Sequence, residues 1–160
     1  MRLVLVGSVT AVLMGAPPAH ANEQASPARH GHAASVPADG ASAIVDAFHA
    51  ALRRGDVKAA AALLADDALI FESGEVERSK AEYAAHHLPA DAEFSRSVPS
   101  VVAARKARSS GNMAWVASEG RTTGTYKGKA LDLLTTETMV LRKIGRSWKI
   151  VHVHWSSAKQ

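Results

Sequence analysis

The C-terminal stretch constrains the fold most. Thr136-Glu137-Thr138-Met139-Val140-Leu141 and Trp148-Lys149-Ile150-Val151-His152-Val153-His154-Trp155-Ser156 are both β-patterned, and the basic residues 142–147 between them form a short, glycine-containing link. Two such runs around one tight turn predict a hairpin that closes a curved sheet. Side chains alternate along a strand, so His152 and His154 share a face. With Trp148, Ile150, His152 and His154 inward, both imidazoles line whatever the sheet encloses. With Lys149, Val151, Val153 and Trp155 inward, they lie outside. Both sets mix polar and apolar residues, so alternation leaves the two readings open.

Ahead of the hairpin the pattern is helical first and extended afterwards. Ile44, Val45, Phe48, Ala51 and Leu52 recur at helical spacing, and Arg53-Arg54-Gly55 ends that helix. Asp56 is placed to cap a second helix carrying Ala59, Ala60, Leu63 and Leu64, which Asp66-Asp67 ends. Residues 68–72 read as a short strand before a Ser73-Gly74 turn. Ser79 followed by Glu82 resembles a capping box for a helix over 80–87, stopped by Leu88-Pro89. Strands are expected over 94–104, 113–126 and 131–143. The fold class is therefore α+β, with helices packed on one face of a bent antiparallel sheet.

The N-terminal part reads differently. Arg2, an apolar run from Leu3 to Met14 and the small-x-small site Ala19-His20-Ala21 have the form of a secretory signal peptide. Cleavage near Ala21 and a secreted or periplasmic protein are expected. The apolar run falls short of the ~20 residues that a spanning helix needs, so stable membrane insertion is not. Residues 22–40, rich in Ala, Ser, Pro and His and including His30 and His32, read as a disordered tether to a domain over 41–157. The sequence has no cysteine, which excludes disulfides and thiol chemistry. Its net charge of +4 is dispersed. The tightest cluster, Arg105-Lys106-Ala107-Arg108, is assigned to a loop, and Lys127, Lys129, Arg142, Lys143 and Arg146 to strand ends. That distribution argues for a solvated surface and against nucleic acid. No phosphate-binding glycine loop, nucleophile elbow or zinc-protease motif is present.

Phe48-His49-Ala50-Ala51-Leu52-Arg53-Arg54-Gly55-Asp56, Leu64-Ala65-Asp66-Asp67-Ala68, Thr136-Glu137-Thr138 and the Trp148 strand occur in an order that resembles the nuclear transport factor 2-like superfamily, in particular its SnoaL-like branch. The final hairpin is also similar to the association domain of calcium/calmodulin-dependent kinase II, which has a like Glu-Thr strand and Trp-x-Ile-Val-His-x-His strand. The resemblance implies a cone: a curved sheet wrapped around helices, with an open mouth, commonly dimeric. It does not fix a function, because the superfamily holds isomerases, dehydratases, cyclases, ligand binders and assembly modules. Against ketosteroid isomerase, Asp66-Asp67-Ala68-Leu69-Ile70-Phe71-Glu72 resembles the stretch that carries the general base and puts Glu72 there. The oxyanion tyrosine falls on Phe48, which has no hydroxyl, and only Glu137 is near the second acid. Loss of an oxyanion donor costs about two to three orders of magnitude in rate, which argues against steroid isomerisation. The pocket arginine of the kinase domain falls on Trp155.

The expected site therefore gathers Glu72, His86 and His87 as proton-transfer residues, with Phe48, Tyr83, Glu137, His152, His154 and Trp155 around a small organic ligand. A carboxylate facing a dry cavity has a raised pKa and can move protons. No cofactor or resident metal is expected for this reading. The alternative is a non-catalytic metal-binding or dimeric interaction module, built on the tether histidines and on His86-His87. A homodimer is expected in either case, to cover the mixed outer face of the sheet.

Overall fold

The computed structural model describes residues 39–160, so the signal-peptide and tether expectations for the preceding segment lie outside the described residues. Its elements run α1 (Asp39–Arg54), α2 (Val57–Leu63), β1 (Leu64–Glu72), β2 (Glu75–Glu77), α3 (Lys80–Ala85), α4 (Leu88–Ser97), β3 (Ser100–Ser110), β4 (Met113–Tyr126), β5 (Lys129–Ile144) and β6 (Ser147–Lys159). The architecture is α+β, helices first and then a curved six-stranded sheet in the order β2-β1-β6-β5-β4-β3. Among the described strands only β1 and β6 pair in parallel. No described helix is long and apolar enough to cross a membrane.

Local chemistry explains the helical layer. Gly55 sits at φ +70°, a left-handed conformation that glycine adopts without a Cβ penalty. It lets the Gly55 and Asp56 N–H groups donate to the carbonyls of Leu52 and Ala51 at 2.8 and 2.9 Å, the paired closure of a helix C-terminus. Asp56 then starts the next helix, accepting from the Ala59 N–H at 2.9 Å. One residue thus ends α1 and caps α2, which fixes the angle between them. Val45, Phe48 and Leu52 of α1 are buried against Ile70 of β1, Val116 of β4, Met139 and Leu141 of β5, and Ile150 and Val153 of β6. Each such side chain contributes roughly 1.5–3 kcal/mol by leaving water.

Several sequence expectations need correction; Leu64, Asp66 and Asp67, expected to continue and end the second helix, belong to β1. Leu88-Pro89 does not stop the structure but opens α4, with the proline in the first helical turn. Its missing N–H costs nothing there, because that donor has no helical partner. Residues 94–97 are consequently helical, and β3 begins only at Ser100. The Arg105–Arg108 cluster lies within β3, at the edge of the sheet, rather than in a loop. The short strand β2 was not anticipated at all.

Bulges bend the sheet where the site forms. In β6, Ile150 pairs with Leu141 and His152 with Val140, so Val151 is an extra residue. Opposite it, Leu64 and Leu69 of β1 pair with Ile150 and His152, and Asp66 and Asp67 bulge outward. Asp67 is held there by both oxygens on the Arg142 guanidinium, at 3.0 and 2.9 Å, and Asp66 by Lys80. A third irregularity lies between Val102 and Ala104 of β3. It faces Gly120, whose hypothetical Cβ would stand 2.7 Å from the Val101 carbonyl.

Candidate functional site

Strand register builds the floor of the site. Arg105 pairs with Ser118, Ser118 with Glu137, Glu137 with Trp155, and Trp155 with Glu72. Directly paired residues point to one face, so five strands present a single transverse row of side chains. All five line a cavity of about 420 Å³, together with Asp46, His49 and Arg53 of α1 and Asp91 and Phe94 of α4. The helices close over the row, and Phe48 supports it from within the core, stacked on Trp155 at 6.3 Å between ring centres.

Glu137 is the best-buried charge of the row, with its side chain 10% exposed. Its Oε2 accepts from His49 Nε2 and from Trp155 Nε1, both at 2.7 Å. Oε1 is buried without a partner among the described residues. Burial pushes this carboxyl up, but the His49 hydrogen bond and charge, the Trp155 N–H and the Arg105 charge together outweigh it. The net result is a pKa below the ordinary glutamate value, hence a carboxylate. Arg105 is itself oriented, donating to Ser118 Oγ at 3.0 Å and to Asp46 Oδ1 at 2.6 Å.

Glu72 stands at the other end of the row in a different environment. Burial, the neighbouring Asp91 charge and, more weakly, Glu77 push its pKa up to about 7, against the opposing His87 charge. Asp91 is also raised, mainly by burial, although it accepts from the Tyr83 hydroxyl at 2.6 Å. Tyr83 is fully buried, and burial and Asp91 push its own pKa up. The cavity thus carries a carboxyl with a raised pKa at one end and one with a lowered pKa two strands away, a spacing of about 10 Å.

The expected residues divide between these surroundings. Glu72, Glu137 and Trp155 line the cavity. Phe48 and Tyr83 lie behind it in the core. His86 and His87 do not line it. His86 is exposed at the end of α3, while His87 pairs with buried Glu77 and touches the site only through its charge on Glu72. His152 and His154 are on the outer face, packed edge-on against Phe71 with ring centres 5.2 and 6.0 Å away. His152 Nδ1 lies 2.9 Å from the Leu69 carbonyl. Among the described residues no group of three His, Cys, Asp or Glu is placed to hold a metal ion.

Sequence reasoning missed Asp46, His49, Arg53, Asp91, Arg105 and Ser118. A signal existed for three of them: Asp46, His49 and Arg53 fall at i, i+3 and i+7, a polar stripe flanking the apolar face of α1. Asp91 was out of reach once its segment was not assigned to a helix.

Comparison with known proteins agrees with this architecture. A family model described as a SnoaL-like domain matches residues 41–160. A candidate ketosteroid isomerase from Shewanella frigidimarina is 40% identical over 73% of this chain and 94% of its own, with a TM-score of 0.71. A candidate calcium/calmodulin dependent protein kinase II association domain from Xanthomonas campestris is 27% identical, covering 73% of this chain and 84% of its own, with a TM-score of 0.61. A candidate dehydratase of the NTF2-like family from Streptomyces avermitilis shares the fold at 18% identity, over 75% of this chain and 95% of its own, with a TM-score of 0.60. No curated protein matches the chain. With three quarters of its length matched by one family model and a 40% identical structure of the same fold, the chain belongs to the SnoaL-like family of nuclear transport factor 2-like domains.

Proposed function

We propose that this protein binds a small organic ligand in its cone and catalyses acid–base chemistry there, of the isomerase or lyase type, with Glu72 as the proton-transfer group. The observation that carries the reading is the split between two carboxyls of one row. Glu72 has a pKa of about 7, so it both accepts and releases protons near neutrality. Glu137 is held ionised by His49, Trp155 and Arg105 and stays a fixed charge. Two carboxyls driven apart in pKa by their surroundings divide into a reactive group and an electrostatic one. In this reading Glu72 removes a proton from carbon beside a ligand carbonyl and returns it at a second position. Arg105, which also lines the cavity, supplies positive charge for the oxygen that becomes negative. The resemblance to a candidate ketosteroid isomerase supports the reaction class. The absence of a hydroxyl at Phe48 argues against a steroid substrate.

Export belongs to the same proposal and rests on Arg2, the apolar run and Ala19-His20-Ala21. So does a homodimer through the outer face of the sheet, where Trp115 is 40% exposed. The proton-transfer reading is tested by incubating the protein with a panel of small ketones and oxo acids in deuterated water and following exchange at the α-carbon by NMR. Wild type is expected to accelerate exchange of at least one compound, and Glu72→Gln to lose it. Equal acceleration by Glu72→Gln removes Glu72 from the chemistry.

A further inference from the structure

Beside the main cavity lies a second, smaller space of about 50 Å³, lined by His49, Arg53, Phe94, Ser95, Val98 and Ser100. Five of these six, all but Val98, also line the large cavity, so the two spaces adjoin. A single water needs only about 10–15 Å³, whereas a ring needs far more than is present. The space takes a group of a few atoms.

Its polar groups are all able to donate. The Arg53 guanidinium and the Ser95 and Ser100 hydroxyls have no hydrogen-bond or ion-pair partner among the described residues. No carboxylate lines this side pocket. The nearest acid on the same helix face, Asp46, is already held by Arg105 at 2.6 Å, and Glu137 is held by His49. Arg53 is therefore a cation without a hydrogen-bond or ion-pair partner among the described residues, beside a cavity whose other two basic groups, His49 and Arg105, are paired with Glu137 and Asp46. The simpler account is that Arg53, like its neighbour Arg54, serves the C-terminal end of the α1 dipole in solvent. Arg54 shares that position in the helix but lines neither space, so the two arginines separate the accounts.

We propose that Arg53, Ser95 and Ser100 form a carboxylate-binding subsite, and that the cavity's ligand is a small organic acid anchored there. This rests on the acid–base reading for the chemistry, but the subsite stands or falls by binding alone. A planar guanidinium matches the two oxygens of a carboxylate with paired hydrogen bonds, and two hydroxyls at the rim complete its coordination. Phe94 and Val98 wall the space with apolar surface, which lowers the local dielectric and strengthens those bonds. The acid's carbon skeleton then extends into the large cavity, over the row that ends at Glu72.

The probe is benzoate, with benzamide as its neutral counterpart and inorganic phosphate as the competing anion. Each is titrated into the full folded protein while backbone amide NMR signals are followed. Saturable benzoate shifts at Arg53, Ser95 and Ser100 are expected, about tenfold weaker in Arg53→Gln and unchanged in Arg54→Gln, which alters net charge equally. Benzamide is expected not to saturate. The readout is binding without turnover, so failure of the proton-transfer reading would leave this result untouched. Equal weakening by Arg53→Gln and Arg54→Gln, binding of benzamide as strong as benzoate, or no saturable benzoate binding would each overturn the subsite. Tighter binding of phosphate than of benzoate would overturn the assignment to a carboxylate.

Discussion

Glu72 and Glu137 flank Trp155 in one cross-strand row, and the cavity treats the two carboxyls in opposite ways. Glu137 receives two N–H donors and the charge of Arg105, which more than offset its burial. Glu72 receives no donor of that kind among the described residues; burial and the Asp91 charge lead instead. The difference follows from position. Glu137 meets His49 of α1, whereas Glu72 feels the charge of Asp91 of α4.

Glu137→Gln is expected to destabilise the fold. The amide keeps the shape but loses the charge that His49 and Trp155 address, and one buried hydrogen bond is left mismatched. The expected cost at neutral pH is about 1–3 kcal/mol, read by urea denaturation. A folded pKa below the unfolded one means this stabilisation is present above the unfolded value and lost as pH falls through the folded value. The gap between wild type and variant should therefore narrow in acid. A cost within about 0.5 kcal/mol would show the carboxylate to be dispensable for folding.

Export makes a separate claim. Protein recovered from the native host should begin at Asn22, after Ala19-His20-Ala21. Intact-mass measurement decides it, and a retained Met1 would end the export proposal.

The fold was largely legible in the sequence, and the reasons for the misses are specific. Turn chemistry at Gly55-Asp56 and Ser79-Glu82 and the long alternating strands were enough to give the helix-then-sheet order. Glu137 shares its parity with Met139 and Leu141, both fully buried, so its inward aim was also written in the period of two. β6 defeated the same rule because of the bulge at Val151. Neither whole set of alternate residues faces inward: Trp148 and Ile150 do, and after the extra residue Val153 and Trp155 do. A bulge reverses the parity of every later side chain, and nothing in Ile150-Val151-His152 marks it. The cavity-facing row itself depends on register across five strands, which no local pattern contains.

The outward turn of His152 and His154 bears on assembly. Trp115 pairs with Val140, and Val140 with His152; in the next row Thr138 pairs with His154, and His154 with Phe71. This outer face carries an exposed tryptophan between Arg108 and Val140, on the side of the sheet opposite the cavity row. Light scattering at micromolar concentration should give a dimer for wild type and a monomer for Trp115→Glu, with ligand binding in the cone retained. A wild-type monomer, or a dimer unaffected by Trp115→Glu, would rule out pairing through this face.

The pH dependence of stability tests the environment of Glu72 most directly. Its folded pKa of about 7 lies above the ordinary 4.5, so the folded state binds this proton more readily than the unfolded chain does. The resulting stabilisation is full below about pH 4.5 and is lost as pH rises through about 7. His87, raised by its hydrogen bond to Glu77, and Asp91, raised mainly by burial, slope the curve in the same direction. The wild-type curve alone therefore does not isolate Glu72, but the difference between wild type and Glu72→Gln does. The variant keeps the shape and cannot ionise, so its stability relative to wild type should grow from about pH 4.5 to about pH 7 and level off above. Because Glu72 remains partly solvated, solvent screening reduces the expected gain to roughly 1–2 kcal/mol. Thermal melts of both proteins across that range supply the measurement. Curves that stay parallel would mean that Glu72 titrates as an ordinary surface carboxyl, and the proton-transfer role would pass to Asp91 and Tyr83.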